Sequence, residues 1–210
     1  SFPPQLLAQT DQGPNSRERD FPLRRTFWLF LSQVLTPHTA CRSVVREAQA
    51  LLGLHSEQQI DSATSAYVTA RGRLPIERLE QALQHTATAA DQRVGAPRGC
   101  LAGRPVKVVD ATSTQLPDTP ENQRRYPQPS TQKPGCGFPV MKVMALFSLA
   151  SGALLHVVKE SLHWHDLRLF RRLWGCLRCN DIVVGDRAFS DYVSLASLPT
   201  RAVDVIGRLH

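Results

Sequence analysis

Two short runs of mostly β-branched residues, Val106-Lys107-Val108-Val109 and Ile182-Val183-Val184-Gly185, each close on a carboxylate, Asp110 and Asp186, followed by a polar exit. Runs of this length and composition read as buried strands rather than helices. Between them, residues 140–149 and 153–159 read as paired strands joined around Ser151-Gly152, the first of them overlong enough for a bulge. Residues 165–177 set Leu167, Leu169, Phe170, Leu173 and Trp174 against Arg168, Arg171 and Arg172, the pattern of an amphipathic helix. A further helix over 190–198 and a strand over 203–206 complete a β-β-β-α-β-α-β order. That order specifies a mixed sheet with helices against its faces.

The front of the chain follows a different period. Residues 26–35 carry enough apolar surface for a buried helix that stops before Pro37, with Phe27, Trp28 and Phe30 read as core. Residues 38–53 place Val44, Val45, Ala48, Leu51 and Leu52 at helical spacing, and 62–70 is a further short helix. Residues 74–90 open with Pro75, Glu77 and Glu80 and set Leu79 and Leu83 one turn apart. Gly95, Pro97, Gly99, Gly103 and Pro105 then mark a boundary within 90–105. The expected organisation is a flexible lead segment over 1–20, a helical region over 21–100 and an α/β core over 101–210. Residues 116–137, with five prolines, form a long irregular connection in which only a turn or two is regular.

Composition narrows the function classes. Of 210 residues, 42% are hydrophobic and 20% charged, which fills a core and excludes global disorder. The net charge is +7, and of the basic residues only Lys107, Lys133, Lys142 and Lys159 are lysines. An arginine-rich basic chain suits phosphate contact, although GC-rich coding produces the same bias. The five cysteines show no disulfide framework and point to a reduced, intracellular, cytoplasmic setting. No signal peptide is visible, and the longest apolar stretch, 143–158, is too interrupted to span a membrane. The chain opens on Ser1 and closes just after the apolar run 203–206, so it reads as cut at both ends.

If the strands ending in Asp110 and Asp186 are neighbours, their carboxylates converge, and converging acids repel unless a cation lies between them. Hard divalent ions, Mg2+ or Mn2+, suit such an oxygen site, and a pair of them promotes phosphoryl transfer. An Asp after a strand is also a common turn former or helix cap, and spacing alone leaves both readings open. His163, His165, Cys176 and Cys179 offer zinc-ligand types, but core thiols and a helix-cap histidine explain them equally. Arg168, Arg171, Arg172 and Arg178 form either a solvated face or a phosphate surface. Arg187, beside Asp186, is a sharper phosphate candidate, and Arg124, Arg125 and Tyr126 lie in the irregular connection.

Val108-Val109-Asp110-Ala111-Thr112, then Leu116-Pro117-Asp118-Thr119-Pro120-Glu121-Asn122 and Gln132-Lys133-Pro134-Gly135-Cys136-Gly137-Phe138-Pro139, resembles the first catalytic block of IS4-type insertion-sequence transposases. Ile182-Val183-Val184-Gly185-Asp186-Arg187-Ala188-Phe189 resembles their second block. The front segments Thr26-Phe27-Trp28-Leu29-Phe30-Leu31 and Ala70-Arg71-Gly72-Arg73-Leu74-Pro75 are also similar. The resemblance implies a ribonuclease-H-like core, truncated here, behind a helical region that helps bind transposon-end DNA. It implies DDE chemistry: strand hydrolysis, then strand transfer into target DNA. Asp110 and Asp186 take the first two acid positions as catalytic and metal-binding residues, with two Mg2+ or Mn2+ ions in the full-length protein.

The family's third acid, a glutamate, lies on a helix beyond the strand resembling 203–206, and Glu160 falls at the wrong place in the order for it. These 210 residues alone are therefore expected not to cleave DNA. Arg187, Arg168, Arg171, Arg172, Arg124, Arg125 and Lys133 are the implied DNA contacts. The implied partners are duplex DNA at terminal inverted repeats, target DNA and a second copy during synapsis, on a prokaryotic nucleoid and without a membrane. Where the family often has Gly-Asp before the second strand, this chain has Cys179-Asn180-Asp181, a change confined to a turn. The alternatives are a nonenzymatic DNA-binding or regulatory product of the same fold and a metal-dependent nuclease of other use.

Overall fold

The computed structural model describes residues 3–8, 20–55, 59–94 and 100–208. Most of the lead segment and residues 95–99 of the glycine- and proline-rich boundary lie outside the described residues. The chain forms two compact units, Ser1–Ala82 and Leu83–His210.

The first unit is helical. Helix α1 (Leu23–Leu35) starts behind Pro22, whose carbonyl accepts both the backbone N–H and the hydroxyl of Thr26 at 2.9 Å, and it ends at Thr36 before Pro37. Helices α2 (Cys41–His55) and α3 (Ser65–Gly72) follow, and α4 (Ile76–Val94) runs across the division into the second unit. Phe21, Leu29, Val44, Val45, Ala48, Ile60, Tyr67 and Ala70 make the core. Tyr67 is fully buried and donates its hydroxyl to Gln33 Oε1 at 2.8 Å, and burial raises its pKa against the pull of Arg71. Phe27 is buried as expected, but Trp28 is 44% exposed. Helix α1 packs Phe27 into one cluster and Leu29 into another, about 200° apart around the helix, and Trp28 lies between those two sides.

The second unit is built on strands β1 (Cys100–Leu101), β2 (Arg104–Gln115), β3 (Val140–Ser148), β4 (Leu154–Ser161), β5 (Ile182–Val184) and β6 (Asp204–Ile206). The sheet order is β4-β3-β2-β5-β6, with β1 paired to β2. Strands β2, β3 and β4 are antiparallel neighbours, whereas β2, β5 and β6 run parallel. Helices α6 (Asp166–Leu173) and α7 (Tyr192–Ser197) make the crossovers that parallel pairing requires. A helical front followed by a mixed sheet with flanking helices is the expected architecture, a ribonuclease-H-like α/β fold.

Strand alternation divides the sheet into two unlike faces. On one, Val109, Met144, Leu146 and Val183 pack beneath Leu169, Phe170 and Leu173 of α6, joined by Phe189, Leu198 and Val203. On the other, the register aligns Leu154, Phe147, Val108, Val184 and Ile206 in one row across five strands. These five are half-buried or exposed and belong to none of the core clusters of the described residues.

Local sequence sets the remaining features. His165 caps α6 by accepting the Leu167 N–H at Nδ1, and Asp166 at its start with Arg171 and Arg172 at its end match the helix dipole. The bulge lies in β4 rather than β3: Leu146 pairs with His156 and Phe147 with Leu154, leaving Leu155 as the extra residue. The irregular connection holds one short helix, α5 (Pro120–Arg125), capped by the Thr119 hydroxyl. Its remainder is organised by Gln128, which donates to the carbonyls of Gln132 and Lys133 and accepts from the N–H groups of Gly135 and Gly137. Asn180 adopts φ 77° in the turn before β5, where a short polar side chain is tolerated. Among the described residues, no helix is long and apolar enough to cross a membrane.

Candidate functional site

The parallel ladder between β2 and β5 pairs Val106 with Ile182, Lys107 with Val183 and Val108 with Val184. Carried two residues further, the same register sets Asp110, within β2, opposite Asp186, two residues past the end of β5. The chains stay in contact at the intervening step: a Cβ on Gly185 would lie 2.9 Å from Val109 Cγ1 and 2.9 Å from the Phe189 ring. Glycine there permits the approach. Since Val109 and Val183 face the core, alternation puts Asp110 and Asp186 on the opposite face, and both are exposed.

Each carboxylate has one oxygen engaged by its own backbone. Asp110 Oδ1 accepts the Ala111 N–H at 2.8 Å, and Asp186 Oδ1 accepts the Ala188 N–H at 2.8 Å, capping the single 3-10 turn Arg187–Phe189. The capping role open from sequence is therefore realised at Asp186, and it leaves the second oxygen of each acid facing solvent. Two exposed all-oxygen donors, one within β2 and one just past β5, fit part of a hard-cation ligand set. Among the described residues, no group of three or more His, Cys, Asp or Glu is assembled that could hold a metal ion. This also describes His163, His165, Cys176 and Cys179, of which His165 serves as the α6 cap.

The cations named from sequence do not form one cluster. Arg187 is exposed immediately after Asp186. Arg124 and Lys133 are exposed on the irregular connection. Arg168, Arg172 and Arg125 converge elsewhere: the Arg168 guanidinium lies 4.5 Å and that of Arg172 5.9 Å from the Trp164 ring centroid. Arg172 and Arg125 both reach Glu160, at 2.7 and 3.4 Å. Arg171 turns instead to Asp191 at 3.5 Å. Burial acts to raise the Asp191 pKa, but hydrogen bonds from the Ser194 hydroxyl and the Ser194 and Val193 N–H groups, with Arg171 nearby, hold it below the ordinary carboxylate value.

Glu160 is 6% exposed and was not singled out from sequence as a functional residue. Its register row, Ser113–Lys142–Glu160, lies three residues beyond the Asp110–Ala145–Val157 row and on the covered face. It therefore does not join Asp110 and Asp186. No local pattern announces its partners, because Arg125 arrives from a distant segment. Its one visible signal is an acid two residues after the strand-like run Leu154-Leu155-His156-Val157-Val158.

Residues 101–210 match the family model described as Transposase DDE domain. None of the curated proteins matches the chain. Among solved structures, the piggyBac transposase synaptic complex with hairpin DNA matches with a TM-score of 0.44 and 11% identity, over 95% of this chain and 44% of that one. The Mos1 transposase paired-end complex with left transposon end matches at 0.32 and 9%, over 93% and 61%. The Mos1 mariner paired end complex with Mn matches at 0.30 and 10%, over 96% and 62%. The chain thus spans less than two thirds of the length of each.

Proposed function

Because this chain belongs to the Transposase DDE domain family, we propose that it carries the first two acids of an IS4-type DNA transposase and acts on transposon-end DNA. The observation supporting this reading is that Asp110 and Asp186 are both exposed and each lies two residues beyond the last paired residues, Val108 and Val184, of adjacent parallel strands. Asp110 and Asp186 would hold Mg2+ or Mn2+ through the oxygens that their backbone bonds leave unengaged. When bound, such an ion supplies Lewis-acid activation of a phosphodiester and its attacking water. Strand rigidity fixes where the carboxylates stand, and Arg187 grips a backbone phosphate beside them. The helical region 21–100 contributes contacts to the transposon end, and two copies meet during synapsis.

With two acids of three, these 210 residues bind duplex DNA without cutting it. The test is an end-labelled duplex assay in Mg2+ or Mn2+, with binding read from the same mixtures. Retention of DNA, reduced in Arg187→Ala with a smaller salt dependence, supports the reading. Absence of DNA binding at low salt would overturn it. Strand scission abolished by Asp110→Ala would overturn the inactivity of these residues and leave the family chemistry standing.

A further inference from the structure

Glu160 holds two guanidiniums that would otherwise repel. Its carboxylate is nearly buried, while the Arg172 and Arg125 side chains that reach it are 48% and 62% exposed. One carboxylate neutralises one of the two positive charges, so an excess positive charge stays on two partly exposed side chains. Beside it, Arg168 and Arg172 both lie against Trp164. The backbone under that ring is fixed by Lys142, whose Nζ donates to the Trp164 carbonyl at 2.8 Å and to Asp166 Oδ1 at 2.7 Å. Lys142 is thereby turned inward, and the three arginines form the exposed part of the group.

We infer that Glu160 is a positioning residue which, by gripping Arg125 and Arg172 together, shapes with Arg168 and Trp164 a clamp for a phosphodiester of bound DNA. Planar guanidiniums held side by side match the two free oxygens of a backbone phosphate, which a mobile arginine matches only at an entropic cost. By strand geometry the Glu160 row lies about 10 Å along the strands and about 10 Å across them from Asp110, so the clamp holds a phosphate separate from the one at the acids. The inference rests on the DNA-binding reading above. It adds that a buried acid strengthens binding to a polyanion.

That sign makes the test decisive. The 210-residue chain and its variants are titrated with a fluorescent random-sequence duplex across a range of salt. Glu160→Gln removes a negative charge; if Glu160 acted through charge alone, binding would tighten. The clamp predicts binding weaker by roughly 3- to 10-fold and a salt slope smaller by about 0.9, the value of one lost phosphate contact. In an Arg125→Ala/Arg172→Ala background the same change is expected to have no effect on DNA affinity. Tighter or unchanged binding by Glu160→Gln, in a wild type that binds DNA and loses affinity on Arg187→Ala, overturns the clamp alone. A wild type that does not bind DNA overturns the functional reading and the clamp with it. Should Glu160→Gln fail to fold, Arg125→Ala decides: a smaller slope supports the clamp, and an unchanged slope overturns it.

Discussion

The two faces of the sheet treat carboxylates in opposite ways. On the covered face Glu160 is buried and held by Arg172 and Arg125, whereas on the open face Asp110 and Asp186 are exposed and bonded only to neighbouring backbone N–H groups. A buried carboxylate needs a counter-charge from the protein, and an exposed one can wait for a cation from solution. Strand parity decides which situation an acid meets. One step along β2 separates Val109, 2% exposed beneath α6, from Asp110 in solvent.

The contrast is sharpest in the core. Phe170→Ala, fully buried against the covered face, should cost about 3–5 kcal/mol, whereas Val108→Ala on the open row should cost less than about 1.5 kcal/mol. Denaturant titration of both variants checks this, and equal losses would remove the distinction between faces. Gly185→Ala forces a methyl to within 2.9 Å of Val109 Cγ1 and the Phe189 ring. We expect about 1–3 kcal/mol of destabilisation and weaker Mn2+ binding, because the strand end carrying Asp186 must shift.

Smaller effects follow at the helix cap and at the acids. Asp191→Ala removes the cap of α7 and should cost about 1 kcal/mol. Because the folded-state pKa of Asp191 is lowered, its contribution is fully present above the unfolded value near 3.8 and is lost as pH falls through the depressed folded value. Wild type and variant should therefore converge in thermal stability only in that acid range. Asp110→Asn should change stability by less than about 0.5 kcal/mol, since the side chain is exposed. The same variant should lose Mn2+ binding measured by electron paramagnetic resonance, and a large stability loss instead would mark Asp110 as structural.

Much of this architecture was legible from hydropathy, and the exceptions have physical causes. The runs ending in Asp110 and Asp186 announced their strands because burial demands β-branched residues there. Ser113, Thr114 and Gln115 announced nothing, yet they extend β2 by pairing with Lys142, Met141 and Val140 through backbone bonds, to which side-chain polarity is indifferent. Trp28 misled because apolar composition does not fix which side of a helix faces inward. Asp110 and Asp186 stood out through identical local contexts. Glu160 did not, because its meaning lies in arginines brought to it by the fold.

Gln128 ties the connection between β2 and β3 together with one uncharged side chain, bonding both ways across residues 132–137. The segment consequently opens as a unit. The amide protons of Gly135 and Gly137 should exchange with deuterium at a common rate, that of exposed Gly135 slower than its position suggests, and both should be released together when Gln128 is replaced by alanine.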